Sequence, residues 1–113
     1  MGGGTYLHLS DDLNKQIKKN MIKGWKKHLR MTLNLIVPLG TVQFFILNQS
    51  NNKNFSFTIG ESNYQRLTVP ANYWVAFKGI QNNNLILNIA DIPHDPNESE
   101  NLDLNQLWDI KSI

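Results

Sequence analysis

The clearest pattern in the chain is an alternation of apolar and polar residues between Trp25 and Val37. Successive side chains of an extended strand point to opposite faces, so an alternation of this kind predicts a β-strand with two different faces. One face is apolar and the other is cationic. The apolar face carries Trp25, Leu29, Met31, Leu33, Leu35 and Val37, and the cationic face carries Lys26, His28, Arg30, Thr32 and Asn34.

A turn signal follows this strand at Pro38, Leu39 and Gly40. Proline fixes φ near the value that a turn requires, and glycine tolerates positive φ. The signal therefore predicts a hairpin into a second strand that runs from Thr41 to Leu47.

Shorter alternating stretches follow, separated by turn residues. After a polar loop at 48–54, strands are predicted at 55–60, 67–69, 74–78 and 85–90, with Pro70 ending the second of these. Short strands with a turn about every eight to twelve residues are typical of β-sandwiches and barrels. The predicted fold class is therefore all-β, in a single domain.

The two ends of the chain are less regular. Residues 1–4 read as an unstructured start, and residues 6–20 fit either a strand at Tyr6 to Leu9 or a short helix capped by Ser10. Beyond Asp91, two prolines argue against regular structure. A final helical turn is predicted within 102–110, packing Leu104, Leu107 and Trp108.

Composition narrows the class of protein. A chain of 113 residues, 41% hydrophobic, is long enough to form one hydrophobic core but not two. So small a domain buries a modest fraction of its surface, so association with a second copy would stabilise it. The absence of cysteine excludes disulfides, thiolate zinc sites and cysteine nucleophiles. No apolar run reaches the roughly 18 residues of a membrane span, so a cytoplasmic protein without membrane partners is expected.

Charge is unevenly distributed, although the net charge is only +2. Seven of the eleven cationic residues lie between Lys15 and Arg30, and six of the nine acidic residues lie between Asp91 and Asp109. This basic front can bind phosphate on a nucleotide, a nucleic acid or a membrane, or it can pair with the acidic tail of its own chain.

Three segments together resemble a known family. They are GWKKHLRMTLNLIVPLG, RLTVPANYWVAFKG and LILNIADIPHDPNE, in that order, and the second contains the family's VPxxxxxxF turn at 69–77. They resemble the RmlC-like cupins of the dTDP-4-dehydrorhamnose 3,5-epimerase branch and the related dTDP-sugar isomerases, over roughly residues 22–100. The resemblance implies a small jelly-roll barrel, the double-stranded β-helix of cupins, in residues 21–113, after a diverged or truncated segment at 1–20. It also implies a homodimer that acts on nucleotide-linked 4-keto sugars.

The sequence departs from this family at two catalytic positions. The family's histidine base follows a basic-Gly-apolar run, where this chain has Lys26, and the nearest histidine is His28 on the same strand face. The family's tyrosine acid follows the aspartate that ends the last barrel strand, where Asp91 is followed by Ile92. Metal-binding cupins need several histidines, and this chain offers only His28 before His94, so neither a metal nor another cofactor is predicted.

Epimerisation beside a ketone requires a base, a cation to hold the enolate oxygen, and an acid. His28 is the predicted base, Lys26 and Arg30 are predicted to hold an enolate or a diphosphate, and Asn34 is predicted to orient a hydroxyl. The alternative is that this face simply contacts water. Lys27 neighbours Lys26 on the strand, so it is predicted to point the other way, into solvent.

Further binding residues are predicted in the later segments. Tyr73 and Trp74 offer large ring faces for a sugar or a base, and Tyr73 would also serve as the acid if it reached the barrel lumen. Trp25 offers a similar ring face, but because it lies on the apolar face of the strand, packing in a core or a dimer contact is favoured for it. Lys78, Asn88 and His94 complete the predicted substrate-binding set, although His94 lies between prolines and fits an exposed loop equally well.

The sequence is therefore compatible with three functions. The first is an epimerase or isomerase of a nucleotide-linked deoxysugar in surface polysaccharide synthesis. The second is a non-catalytic sugar-binding cupin that has lost the family's acid and base. The third is a nucleic-acid contact through Lys15 to Arg30, which is disfavoured because no nucleic-acid-binding module is present.

Overall fold

The structure, a computed structural model, describes residues 6–8, 17–93 and 95–107. This part of the chain forms ten antiparallel strands. They are β1 (Tyr6–His8), β2 (Ile17–Lys18), β3 (Ile22–His28), β4 (Leu33–Leu39), β5 (Thr41–Asn48), β6 (Lys53–Gly60), β7 (Leu67–Val69), β8 (Trp74–Gly79), β9 (Asn83–Ala90) and β10 (Ser99–Asn101). Two 3-10 turns, Pro96–Glu98 and Leu104–Gln106, flank β10.

The strands are divided between two five-stranded sheets. The first sheet has the order β1-β9-β4-β7, with β2 also pairing β9, and the second has the order β10-β3-β8-β5-β6. Neighbours in the sheets are mostly distant in sequence, as expected for a jelly roll rather than an up-and-down meander. The predicted all-β class and single small domain are confirmed.

The prediction of one strand from Trp25 to Val37 is wrong. The stretch contains two strands, because β3 belongs to the second sheet and β4 to the first, and residues 29–32 cross between them. The alternation continues through the crossing, which is why a single strand was expected. Periodicity identifies the buried positions but carries no information about the strand partner.

The predicted hairpin after this stretch is also wrong, although its turn residue is correct. Gly40 has φ +79°, in the region that favours glycine. However, β4 and β5 do not pair, since the chain turns a corner at Gly40 from the first sheet into the second.

Apolar side chains pack on both faces of the second sheet. The interior core lies between the sheets and comprises Ile17, Met31, Leu33, Leu35, Val37, Val42, Phe44, Ile46, Ile59, Val69, Val75, Ile86 and Ala90. The opposite face carries an outer cluster of Trp25, Phe45, Leu47, Trp74 and Ala76, which Leu102, Leu104 and Leu107 cover. Trp25 is therefore a core residue, as predicted, but in the outer cluster.

The acidic tail is more regular than predicted. Residues 99–101 form β10, which pairs with β3 despite the nearby prolines. Leu104–Gln106 is one 3-10 turn, and Leu104 and Leu107 pack as expected. Trp108, the third residue of that prediction, lies outside the described residues.

The segment before β3 contributes two strands to the first sheet. β1 pairs with Ile89 and its neighbours, and β2 pairs with Asn83 and Asn84. The extended alternative for Tyr6 is thus correct, whereas the proposed helix cap at Ser10 lies outside the described residues. The boundary between residues 20 and 21 stays a prediction. No helix in the described part of the chain is long and apolar enough to cross a membrane.

Candidate functional site

The inner face of β3, which is turned toward the other sheet, is cationic. Lys26 lies opposite Val75 of the interior core, and Lys23 lies opposite Phe77, which packs against that core. Paired residues of antiparallel strands share a face, so both lysines are on the inner side. A register shift between them explains how residues three apart face the same way. His28, two residues beyond Lys26, shares this face.

His28 contacts a buried carboxylate. Its Nδ1 pairs with Oε1 of Glu98, and the Glu98 side chain is 2% exposed. The second carboxylate oxygen accepts hydrogen bonds from three consecutive backbone amides, those of Leu29, Arg30 and Met31, at 3.1, 3.0 and 3.1 Å. Glu98 thus holds both the imidazole and the backbone that crosses from β3 to β4.

The pKa of Glu98 is set by opposing effects. Burial raises the pKa, but the hydrogen bond with His28, the backbone donors of Arg30 and Met31, and the charge of His28 together hold it below the ordinary value of 4.5. The carboxylate is therefore ionised at neutral pH. It orients the imidazole through Nδ1 and leaves Nε2 as the nitrogen available for proton transfer.

The local sequence explains how Glu98 reaches this position. Asp95 caps the 3-10 turn through a hydrogen bond from the Asn97 amide at 3.0 Å, and Pro96 begins the turn. Ser99 then pairs with His28 as β10 joins β3. The turn and the short strand together place Glu98 beside the end of β3.

The acidic tail neutralises part of the basic front. Lys27 pairs with Glu100 at 3.4 Å and Arg30 pairs with Asp95 at 3.1 Å. Lys23 and Lys26 have no acidic partner among the described residues. Uncompensated positive charge therefore remains on the inner face of β3.

Two other predicted binding residues lie on the inner side. Tyr73 is half-buried against the interior core, and the amide of the preceding Asn72 donates to the His28 carbonyl at 2.7 Å. Asn88 is buried opposite Leu35, where its side-chain oxygen accepts from the Asn34 amide at 3.0 Å.

The remaining predicted residues lie elsewhere. Trp74 and Lys78 alternate with Val75 and therefore sit on the outer face of the second sheet, with Trp74 buried in the outer cluster. The Asn34 side chain is held within the first sheet by Thr68 and by the Ile89 carbonyl. Arg30 is largely exposed on the crossing segment, and His94 is outside the described residues.

A cleft of about 410 Å³ opens beside Tyr73. Its walls are Lys27, Asn48, Gln49, Ser50, Asn72, Tyr73 and Trp74. Lys27 was predicted to point into solvent, but its side chain is only 22% exposed and its Nζ lies 5.0 Å from the centre of the Trp74 ring. A cation packed over an indole loses water contact, which accounts for the difference.

Within the described residues, no group of three or more histidine, cysteine or acidic side chains is placed to hold a metal ion. The absence of a metal from the protein itself stays a prediction.

Glu98 is the site residue that the sequence did not reveal. It lies 70 positions from His28, and no spacing rule connects them. The opposite charges of residues 15–30 and 91–109 indicated that the two segments could pair within the chain. They did not indicate which acidic residue would pair with His28.

Comparison with known proteins adds the family context. No protein-family model matches the chain, and no curated protein matches it. Among solved structures, it is similar to a dTDP sugar isomerase from Desulfovibrio desulfuricans G20, with 25% identity and a TM-score of 0.78, covering 94% of this chain and 68% of that one. It is also similar to dTDP-4-dehydrorhamnose 3,5-epimerase from Bacillus anthracis, solved with TDP and PPi bound, with 12% identity, a TM-score of 0.74 and coverage of 93% and 61%.

The protein has the RmlC-like cupin fold. A third structure agrees with this assignment, the 3,4-ketoisomerase QdtA from Thermoanaerobacterium thermosaccharolyticum in complex with TDP-4-keto-6-deoxyglucose, at 13% identity and a TM-score of 0.67. It matches 86% of this chain and 64% of its own length. The cupin described here therefore spans only about two thirds of each of these three relatives. The resemblance that the sequence suggested is confirmed at the level of the fold.

Proposed function

We propose that this cupin binds a nucleotide-linked keto sugar and isomerises or epimerises it, with His28 as the base. The observation that carries the proposal is the pairing of His28 with the buried, ionised Glu98 on the face that also presents Lys26. The fold shared with dTDP-sugar isomerases and epimerases supports the same class of substrate.

The proposed chemistry begins with proton removal. Nε2 of His28 takes a proton from the carbon beside the ketone, and the electron pair moves onto the carbonyl oxygen to form an enolate. The ammonium group of Lys26 stabilises the enolate oxygen, and Glu98 stabilises the imidazolium that has formed. Return of a proton to a carbon completes the isomerisation, with Tyr73 as the candidate acid of an epimerase.

The proposed nucleotide site uses the charge that the tail leaves uncompensated. Lys23 would hold the diphosphate, since it lacks an acidic partner among the described residues. Arg30 can add a second cation from the crossing segment, although it would have to release Asp95. We further expect a cytoplasmic protein that serves the synthesis of surface polysaccharide.

Solvent deuterium incorporation tests the catalytic proposal. A panel of dTDP-4-keto sugars is incubated in D₂O with the native protein and with His28→Gln, and NMR detects deuterium at the carbons flanking the ketone. We expect the native protein to exchange these positions and His28→Gln to be slower by about 100-fold or more. His8→Gln, a histidine substitution in a strand of the other sheet, is the matched control. Equal exchange by the native protein and His28→Gln would exclude His28 as the base.

A second function, binding without catalysis, is favoured by Lys26 and Ile92 at the positions of the family's base and acid. In that case the protein would bind TDP-sugars saturably in calorimetry. It would incorporate no deuterium beside the ketone of any sugar in the panel.

A further inference from the structure

Arg30 is held by two carboxylates that grip different parts of the residue. Its backbone amide donates to Oε2 of Glu98 at 3.0 Å, and its guanidinium donates to Oδ2 of Asp95 at 3.1 Å. The Glu98 side chain is 2% exposed, whereas the Asp95 side chain is 41% exposed. The backbone of Arg30 is therefore fixed by a buried group, while its guanidinium has a partner that solutes can reach.

The pair of Arg30 and Asp95 is the most exchangeable ion pair of the described residues. His28 faces the buried carboxylate of Glu98, and Lys27 is packed over the Trp74 ring. Arg30, in contrast, is 62% exposed, and ion pairs between exposed side chains contribute little net free energy. A competing anion can therefore take this guanidinium without disturbing a buried contact.

Asp95 can offer Arg30 only part of its carboxylate. Its Oδ1 accepts from the Asn97 amide at 3.0 Å, so the bond to the guanidinium is made by Oδ2. A phosphate group presents several oxygens, and a planar guanidinium binds two of them at once. Phosphate is therefore the better partner for Arg30.

The backbone of Asp95 stays in place when the side-chain pair breaks. Its carbonyl accepts from the Glu98 amide at 3.1 Å, and the cap to Asn97 does not involve Arg30. The carboxylate released by Arg30 thus remains near the bound phosphate, where its negative charge opposes binding. Asp95 lowers phosphate affinity both by competing for the guanidinium and by this repulsion.

We propose that Asp95 is a built-in competitor for the phosphate groups of the substrate. It occupies the Arg30 guanidinium in the free protein and yields it to the nucleotide diphosphate. The inference rests on the proposed function, because it takes a nucleotide diphosphate as the ligand. It gives Asp95 an effect of unusual sign, since removing the charge of this tail residue strengthens nucleotide binding.

Calorimetric titration of the full chain with TDP at low salt tests the exchange. Asp95→Asn removes the charge and keeps the cap, because asparagine caps a helical turn as well as aspartate does. We expect Asp95→Asn to bind TDP about 3- to 5-fold more tightly than the native protein, and Arg30→Gln to bind it about 5-fold less tightly. Glu100→Gln removes one acidic charge elsewhere on the tail, from the partner of Lys27, and should change the affinity by less than about 2-fold.

The double variant of Asp95→Asn with Arg30→Gln separates competition for the guanidinium from a general effect of charge. If Asp95 acts by occupying Arg30, the gain from Asp95→Asn largely disappears in the Arg30→Gln background. Equal affinities of the native protein and Asp95→Asn, an equal gain in Glu100→Gln, or a full gain without Arg30 would overturn this inference and leave the proposed function standing. Failure of the native protein and Asp95→Asn alike to bind TDP would overturn both.

Discussion

At the scale of single residues, Glu98 has the most consequential environment in the described chain. One oxygen contacts the imidazole of His28 and the other accepts three backbone amides, so both carboxylate oxygens have partners inside the protein. Charge-assisted hydrogen bonds of this kind are stronger than neutral ones. The residue therefore links the candidate chemistry to the stability of the crossing between the sheets.

Glu98→Gln should destabilise the protein at pH 7 by about 2–3 kcal/mol, because an amide cannot replace the charge that four donors share. Urea unfolding followed by circular dichroism measures the difference. Glu100→Gln is the control, since the Glu100 side chain is 54% exposed and its pairing with Lys27 should contribute less than about 1 kcal/mol. Equal losses in the two variants would contradict a special role for Glu98.

The destabilisation should also depend on pH in a defined direction. The pKa of Glu98 is lowered by folding, so its stabilising effect is present above the ordinary value of 4.5 and is lost as pH falls through the folded-state value. The difference in unfolding free energy between native protein and Glu98→Gln should therefore be constant near neutrality and shrink in acid. A difference that grew on acidification would rule out this account.

Lys23 can be tested separately from His28. Replacing Lys23 with Met should weaken binding of TDP by roughly 5- to 10-fold, because a cation near the diphosphate is lost while the apolar stem is kept. Isothermal titration at low salt measures the change, and Lys53→Met on β6 is the matched control. Unchanged affinity in Lys23→Met would remove Lys23 from the proposed phosphate site.

At the scale of elements, one buried side chain connects three turns and strands. Asn84, with 0% exposure, accepts from the amides of Thr41 and Gln81 and donates to the carbonyls of Ile17 and Gln81. Its four hydrogen bonds hold β2 and the start of β5 against the beginning of β9. These contacts join residues 17, 41 and 81, which are far apart in the sequence, so they form only when the three segments are packed together.

Asn84→Ala should cost about 2–4 kcal/mol, because it leaves buried backbone groups without partners. Thermal unfolding compares it with Asn82→Ala, two residues earlier in the same asparagine run and exposed. A similar, small change in both variants would show that water replaces the Asn84 bonds.

At the scale of the whole molecule, the acidic tail that follows Asp91 is an integral part of the barrel. It supplies Glu98 to the site, β10 to the second sheet, and Leu102, Leu104 and Leu107 to the outer cluster. Leu102 and Trp25 exchange two backbone hydrogen bonds, at 2.9 and 3.0 Å. The tail thus closes the face of the second sheet opposite the interior core.

Leu102→Ser should destabilise the protein by about 1–2 kcal/mol and shift tryptophan emission to the red, because water gains access to Trp25 and Trp74. Fluorescence with denaturant titration measures both effects. Leu29→Ser, at a leucine already 37% exposed, should change neither appreciably. An unshifted emission maximum in Leu102→Ser would mean that the tail does not shield the cluster.

Much of the architecture follows from short-range patterns. The alternation of apolar residues identified most of the strands, and Pro70 and Gly40 marked a strand end and a turn correctly. Trp25 was placed in a core because a large apolar ring is rarely left in water. These inferences hold because period and backbone preference are properties of neighbouring residues.

Only the tertiary structure decided which strands pair with each other and which side chains meet. The same alternation runs through β3 and β4, yet these strands enter different sheets and their apolar sides enter different clusters. Asn34 and Lys26 looked equivalent on a single strand, but only Lys26 faces inward from the second sheet. Glu98 became part of the site because β10 returns to β3, and pairing across 70 residues is set by the packing of the whole barrel.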